Sequence, residues 1–96
     1  MKAPILALLA FAMMATSPAA ADCYADYKAK QVDPPLRLHY GVADVTGGKC
    51  NKRAAAAALA PRLERDGWTL LNILSTFGPE GLGDRESSAG QYFLRY

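Results

Sequence analysis

CYADYKAKQVDPPLRLHYGVADV occupies residues 23–45, and the reading of its two halves decides the fold. In the first half Cys23, Ala25, Tyr27 and Ala29 alternate with Tyr24, Asp26, Lys28 and Lys30. That period of two gives a strand over residues 23–31, with one small or aromatic face and one charged face, as on an exposed sheet edge. A short helix capped by Asp22 is the competing reading, because Ala and Lys favour helix. Asp33, Pro34 and Pro35 stop either element and turn the chain. Residues 36–45 form the clearer strand, with Leu36, Leu38, Tyr40 and Val42 on one face and Arg37, His39 and Gly41 on the other. Folded as a hairpin about Pro34 and Pro35, the two strands bring Cys23 to the far end near Asp44, and Cys50 follows six residues later. A Cys23–Cys50 bridge is then easy to close, which favours strand over helix for residues 23–31.

Toward the C-terminus, Gly47-Gly48-Lys49 makes a loop, and Asn51 is placed to cap a helix running to about Asp66. Ala55, Ala56, Leu59 and Leu63 supply its apolar stripe. Pro61 predicts a kink or a break, since it removes a backbone hydrogen bond. Gly67 ends the helix in a left-handed conformation. Residues 68–77 (WTLLNILSTF) carry apolar side chains on both faces, Trp68, Leu70 and Leu74 against Leu71, Ile73 and Phe77, which predicts a central strand or one with a protected face beyond the helix layer. Residues 78–90 hold four glycines and a proline and predict a mobile loop with a solvated tip at Glu80, Asp84, Arg85 and Glu86. Residues 91–96 (QYFLRY) close the chain as a last strand, antiparallel to residues 68–77. The expected fold class is α+β: β-β-α-β-β, a small antiparallel or mixed sheet with one helix packed on a face.

Toward the N-terminus, residues 1–21 have the three parts of a secretory signal. Lys2 supplies the charge, residues 5–15 (ILALLAFAMMA) an uncharged apolar run, and Ala19-Ala20-Ala21 the small residues before a cleavage site preceding Asp22. Eleven residues of helix span about 16 Å, roughly half a hydrocarbon core, so this run is too short for a membrane anchor. A lipid anchor on Cys23 fits poorly, because Asp22 stands where a small residue is needed. Residues 22–96 then form a single small domain, with 33 hydrophobic residues in 75 and a formal charge near +1. These figures exclude a multidomain enzyme, a membrane bundle and a polybasic nucleic-acid binder. Two cysteines in a short exported chain read as a disulfide.

Catalytic patterns are missing from the sequence. His39 is the single histidine. The nearest carboxylate on its own strand, Asp44, falls on the opposite face. Ser75, Ser87 and Ser88 stand in no nucleophile-elbow motif, Gly47-Gly48 lacks the spacing of a phosphate loop, and the nine carboxylates sit in polar contexts expected at the surface. No metal-ligand spacing and no cofactor motif are found. Five tyrosines and one tryptophan offer amphipathic contact area, interleaved with Lys28, Lys30, Arg37 and Arg95. Because Leu, Ile, Val and Phe number only 15 in residues 22–96, the rings are needed first for the core.

CYADYKAK, LRLHYGV, GWTLL and the terminal YFLRY together resemble an uncharacterised family of small exported proteins of Gram-negative bacteria, over residues 23–96. The resemblance implies a periplasmic or secreted location and the pairing of Cys23 with Cys50, and it implies no activity. The function expected is a binding or interaction module for a protein or an envelope component, with Arg37, His39 and Tyr40 as candidate binding residues. Neither nucleic acid nor stable membrane insertion after signal cleavage is expected. The alternatives are a small hydrolase or inhibitor-like accessory protein using His39, and a purely structural envelope protein.

Overall fold

In the computed structural model, the described residues are 21–96. The leader expected over residues 1–21 therefore lies outside them, apart from Ala21. Three strands form one antiparallel sheet in the order β2-β1-β3, with β1 at Tyr24–Gln31, β2 at Arg37–Asp44 and β3 at Thr69–Phe77. Helix α1, Lys52–Glu64, crosses one face, and a shorter helix α2, Gly83–Ala89, lies against the other. The α+β class holds, with the order β-β-α-β followed by the second helix.

The hairpin closes as its alternation requires, with Tyr24 opposite Asp44 and Gln31 opposite Arg37. Cys23 and Cys50 are bonded, tying the start of β1 to the residue before the α1 cap. Strand β1 lies at the centre of the sheet and β3 at an edge, the reverse of the expectation from their side chains. Small residues explain the inversion. Ala25, Tyr27 and Ala29 are fully buried beneath α1, and alanines let the helix lie close to the middle strand. Register shifts in the β1–β3 pairing, flanking Leu74 and Leu71, break the strict alternation of β3. Each inserts an extra residue, so Leu70 and Ile73, three apart, both reach the helix side.

Helix α1 begins as predicted: the Asn51 Oδ1 accepts from the Ala54 N–H at 2.8 Å. Ala55, Leu59 and Leu63 recur every four residues and form its buried stripe. Pro61 does not end the helix, which continues to Glu64. Pro61 and Ala57 are both exposed, so the Ala57 carbonyl that loses its donor faces water, while Leu59 and Leu63 anchor the opposite side. Gly67 takes φ +83°, the left-handed turn expected after the helix.

Two expectations fail in residues 78–96. Residues 78–90 form a 3-10 turn, Pro79–Gly81, and helix α2 rather than an open loop. The last strand is not formed. A second 3-10 turn, Gly90–Tyr92, leads to a single parallel bridge between Phe93 and Val42, on the outer edge of β2 rather than beside β3. The Leu94 N–H donates to the Val42 carbonyl at 2.8 Å, and Leu94 then adopts φ 58°, which turns the chain out of the sheet direction.

Candidate functional site

The sheet presents two unlike faces. On the α1 side, Tyr27, His39, Trp68 and Tyr92 pack as one aromatic group. The Tyr27 hydroxyl and the His39 Nε2 share a hydrogen bond of 2.9 Å, and the His39 ring stacks on Tyr92 with centroids 3.7 Å apart. Trp68 meets the His39 ring edge-on at 4.3 Å. Gly41, opposite Tyr27, leaves room for this ring, since a Cβ there would collide with the Tyr27 hydroxyl. His39 is 8% exposed, and its Nδ1 is buried with no partner among the described residues. Burial, and then the Arg95 charge, lower its pKa from 6.5 to about 4, so the ring is neutral at neutral pH.

On the opposite face Asp26 is buried, contrary to the expectation that every carboxylate would sit at the surface. Its Oδ1 accepts from Ser75 Oγ at 2.6 Å, and its Oδ2 accepts from Tyr40 Oη at 2.9 Å and Arg85 Nε at 3.1 Å. Burial disfavours the Asp26 charge, but the hydrogen bonds from Ser75, Tyr40 and Arg85 and the Arg85 charge outweigh it and hold the pKa below the usual value. Burial and the Asp26 carboxylate push Tyr40 up to about 12, so its hydroxyl remains a donor. The Arg85 guanidinium also lies 3.9 Å from the Phe77 ring centroid. These contacts fasten α2 over one half of the face, where Val42 is fully buried.

The other half, toward the Pro34-Pro35 turn, is open. Lys28, Leu38, His39, Tyr40 and Leu71 line a groove of about 210 Å³, with the His39 ring itself turned to the α1 side. A wider depression of about 540 Å³ at the start of α1, beside Lys49 and Arg53, is more open to solvent. The two faces of β2 group as the sequence predicts, but the main core lies on the side of His39 and not on that of the leucines. Leu36 and Leu38 are exposed, whereas His39, Gly41 and Ala43 face the core. The packing of Tyr27 over Gly41 and of Tyr92 on His39 outweighs the loss of two leucines.

Of the candidate residues, Arg37 is exposed at the turn end of β2, His39 is enclosed on the α1 side, and Tyr40 is half-buried on the other. The structure does not bring their side chains together. The groove residues Lys28, Leu38 and Leu71 and the Asp26, Ser75 and Arg85 cluster were not singled out as a site from the sequence. The hairpin register alone places Lys28 opposite Tyr40 and Lys30 opposite Leu38, and was the available signal. No group of three or more His, Cys, Asp or Glu among the described residues is arranged to hold a metal ion. No helix among them is long and apolar enough to cross a membrane.

Fold and site together define a disulfide-bridged α+β domain with one covered sheet face and one half-open face that is both apolar and cationic. No protein-family model, curated protein or solved structure matches the chain.

Proposed function

We propose that this protein is an exported binding module that engages a protein or an envelope component through the open half of its sheet. The observation that carries the reading is the groove between Lys28, Leu38, Tyr40 and Leu71, on a face whose other half is closed by α2. Leu38 and Leu71 are large apolar side chains left in water at 66% and 47% exposure. A small domain short of aliphatic residues gains stability by burying such side chains, and leaving them out fits a contact surface. The leader pattern of residues 1–21 and the Cys23–Cys50 bond support a periplasmic or secreted location, where disulfides persist. The resemblance of residues 23–96 to small exported proteins points the same way. The alternative, a hydrolase or inhibitor-like accessory protein using His39, takes no support from the geometry. His39 is enclosed by rings and bonded to Tyr27, and Ser75 is bonded to Asp26 on the opposite face.

The test places a photo-activated benzophenone amino acid at Leu38 and, separately, at Arg53 on the far side of the molecule, in cells exporting the protein. Specific adducts at position 38 that are missing at position 53 are expected. Identical patterns at both positions overturn the reading.

A further inference from the structure

Four of the five exposed large hydrophobics among the described residues, Val32, Leu36, Leu38 and Leu71, gather at one end of the sheet. Leu38 and Leu71 share a groove with Lys28. Leu36 stands two residues before Leu38, just ahead of β2, and Val32 and Leu36 flank the turn. Lys30 pairs with Leu38 on one side and Thr69 on the other, which sets it beside Lys28 on the same face. Neither lysine has a carboxylate partner: the ion pair found among the described residues joins Arg85 to Asp26. The patch is therefore apolar, cationic and located at an extremity of the fold.

We infer that this end of the sheet seats peripherally on an anionic lipid bilayer, with Leu36, Leu38 and Leu71 entering the headgroup region and Lys28 and Lys30 meeting lipid phosphates. The inference rests on the binding-module reading and names its partner. Four features favour a bilayer over the other occupants. The groove of about 210 Å³ falls below the roughly 300–1,000 Å³ typical of small-molecule sites, so it accommodates one or two chains of something larger. Protein contact surfaces concentrate Tyr, Trp and Arg and are depleted in Lys, whereas here Leu, Val and Lys predominate, with Arg37 at the turn and Tyr40 half-buried in the groove, and the other large rings are mostly turned inward. A lysine keeps its ammonium at the phosphate level while its alkyl stem lies along apolar surface, which is the arrangement an interface demands. Pro34 and Pro35 at the turn carry no N–H, so the tip has fewer backbone donors to desolvate. Asp33 in the same turn limits the depth to the headgroups.

The test is co-sedimentation of the chain, expressed for export with its leader and with the Cys23–Cys50 bond intact, with two vesicle types. One contains phosphatidylglycerol and phosphatidylethanolamine, the other phosphatidylcholine alone. Every variant is expressed behind the same leader and recovered as the exported, cleaved protein, so binding and its differences between variants belong to the folded domain. Near-UV circular dichroism checks that each variant is folded, which substitutions at exposed positions permit. Binding to the anionic vesicles that weakens with salt is expected, because each basic residue near such a surface changes partitioning by about five-fold. Lys28→Glu with Lys30→Glu, and Leu36→Ser with Leu38→Ser, should each lower it by at least about ten-fold. Lys52→Glu with Arg53→Glu, the same charge change on α1, should alter it by less than about three-fold. Failure of the native protein to bind anionic vesicles, or an equal loss in the α1 variant, overturns the inference. If benzophenone at Leu38 then yields a protein adduct, the binding-module reading stands with a protein as its partner. If position 38 gives no specific adduct either, both readings fall.

Discussion

At the residue scale His39 carries the clearest consequence. It is stacked on Tyr92, met edge-on by Trp68 and bonded to Tyr27, and Arg95 adds an unfavourable charge if the ring is protonated. The folded protein holds it neutral down to about pH 4, while an unfolded chain protonates it near 6.5. Between those values the unfolded state binds more protons, so stability falls as pH drops from 6.5 to 4 and, for this group, levels off below. The loss should reach about 2–3 kcal/mol, and Asp26, whose pKa is lowered, contributes only at the acid end of that range. Urea unfolding at pH 7.5 and 4.5 measures it. His39→Gln, which retains hydrogen-bonding groups and does not titrate, should shrink the difference by at least ~1 kcal/mol. A pH response unchanged in the variant would assign the acid sensitivity elsewhere. The sequence leaves His39 between a satisfied strand histidine and a reactive group; its role becomes visible only when Gly41, the one residue of β2 without a Cβ, lets Tyr27 cross to it.

At the scale of elements, the hairpin and α1 were legible because their signals are local: alternation, two prolines, an Asn cap and a four-residue repeat. Helix α2 was not, since Gly83–Ala89 has little helical propensity and depends on long-range partners. Arg85 reaches Asp26, 59 residues away, and Ser75 reaches it from 49 residues away. The terminal YFLRY was misread for a related reason. Its alternation suits a strand, but the Tyr92 ring is drawn to His39, and the positive φ at Leu94 ends the pairing after one bridge. If Arg85 is the fastener of α2, Arg85→Met leaves the Asp26 charge buried with two donors instead of three and should cost about 2 kcal/mol. Combined with Asp26→Asn in a double-mutant cycle, it should show a coupling above about 1 kcal/mol. Amide exchange should accelerate at residues 83–89 while the hairpin retains its protection. Coupling near zero would mean that the buried Ala89 holds the helix without the ion pair.

At the scale of the whole molecule, the question is what keeps so small a sheet folded while one end of it remains apolar and open. The covered face has a core of alanines, Tyr27, Trp68 and a few aliphatic side chains, and Leu36, Leu38 and Leu71 add nothing to it. Domains of this size seldom obtain more than about 3–5 kcal/mol from a single core. The Cys23–Cys50 bond closes a separation of 27 residues, worth roughly 3–4 kcal/mol through restriction of the unfolded chain. Other ties act locally. The Cys23 N–H donates to Thr46 Oγ1 at 2.9 Å, and Arg62 Nη1 donates to the Asp44 carbonyl at 2.8 Å, joining α1 to the end of β2. The two estimates are of similar size, so the bridge decides whether the domain is folded at working temperature, and the exposed leucines are tolerable because of it. Oxidised protein should therefore titrate with no free thiols. The Cys23→Ala, Cys50→Ala double variant should lose about 2–4 kcal/mol in urea unfolding and be partly unfolded at 37 °C without denaturant. Changing the open end alone separates the two contributions. Leu38→Lys in the bridged protein should leave stability within about 0.5 kcal/mol, because a side chain in water contributes little to the fold. A double cysteine variant as stable as the bridged protein would move the main source of stability into the aromatic group around His39, and the open leucines would then no longer depend on the bridge.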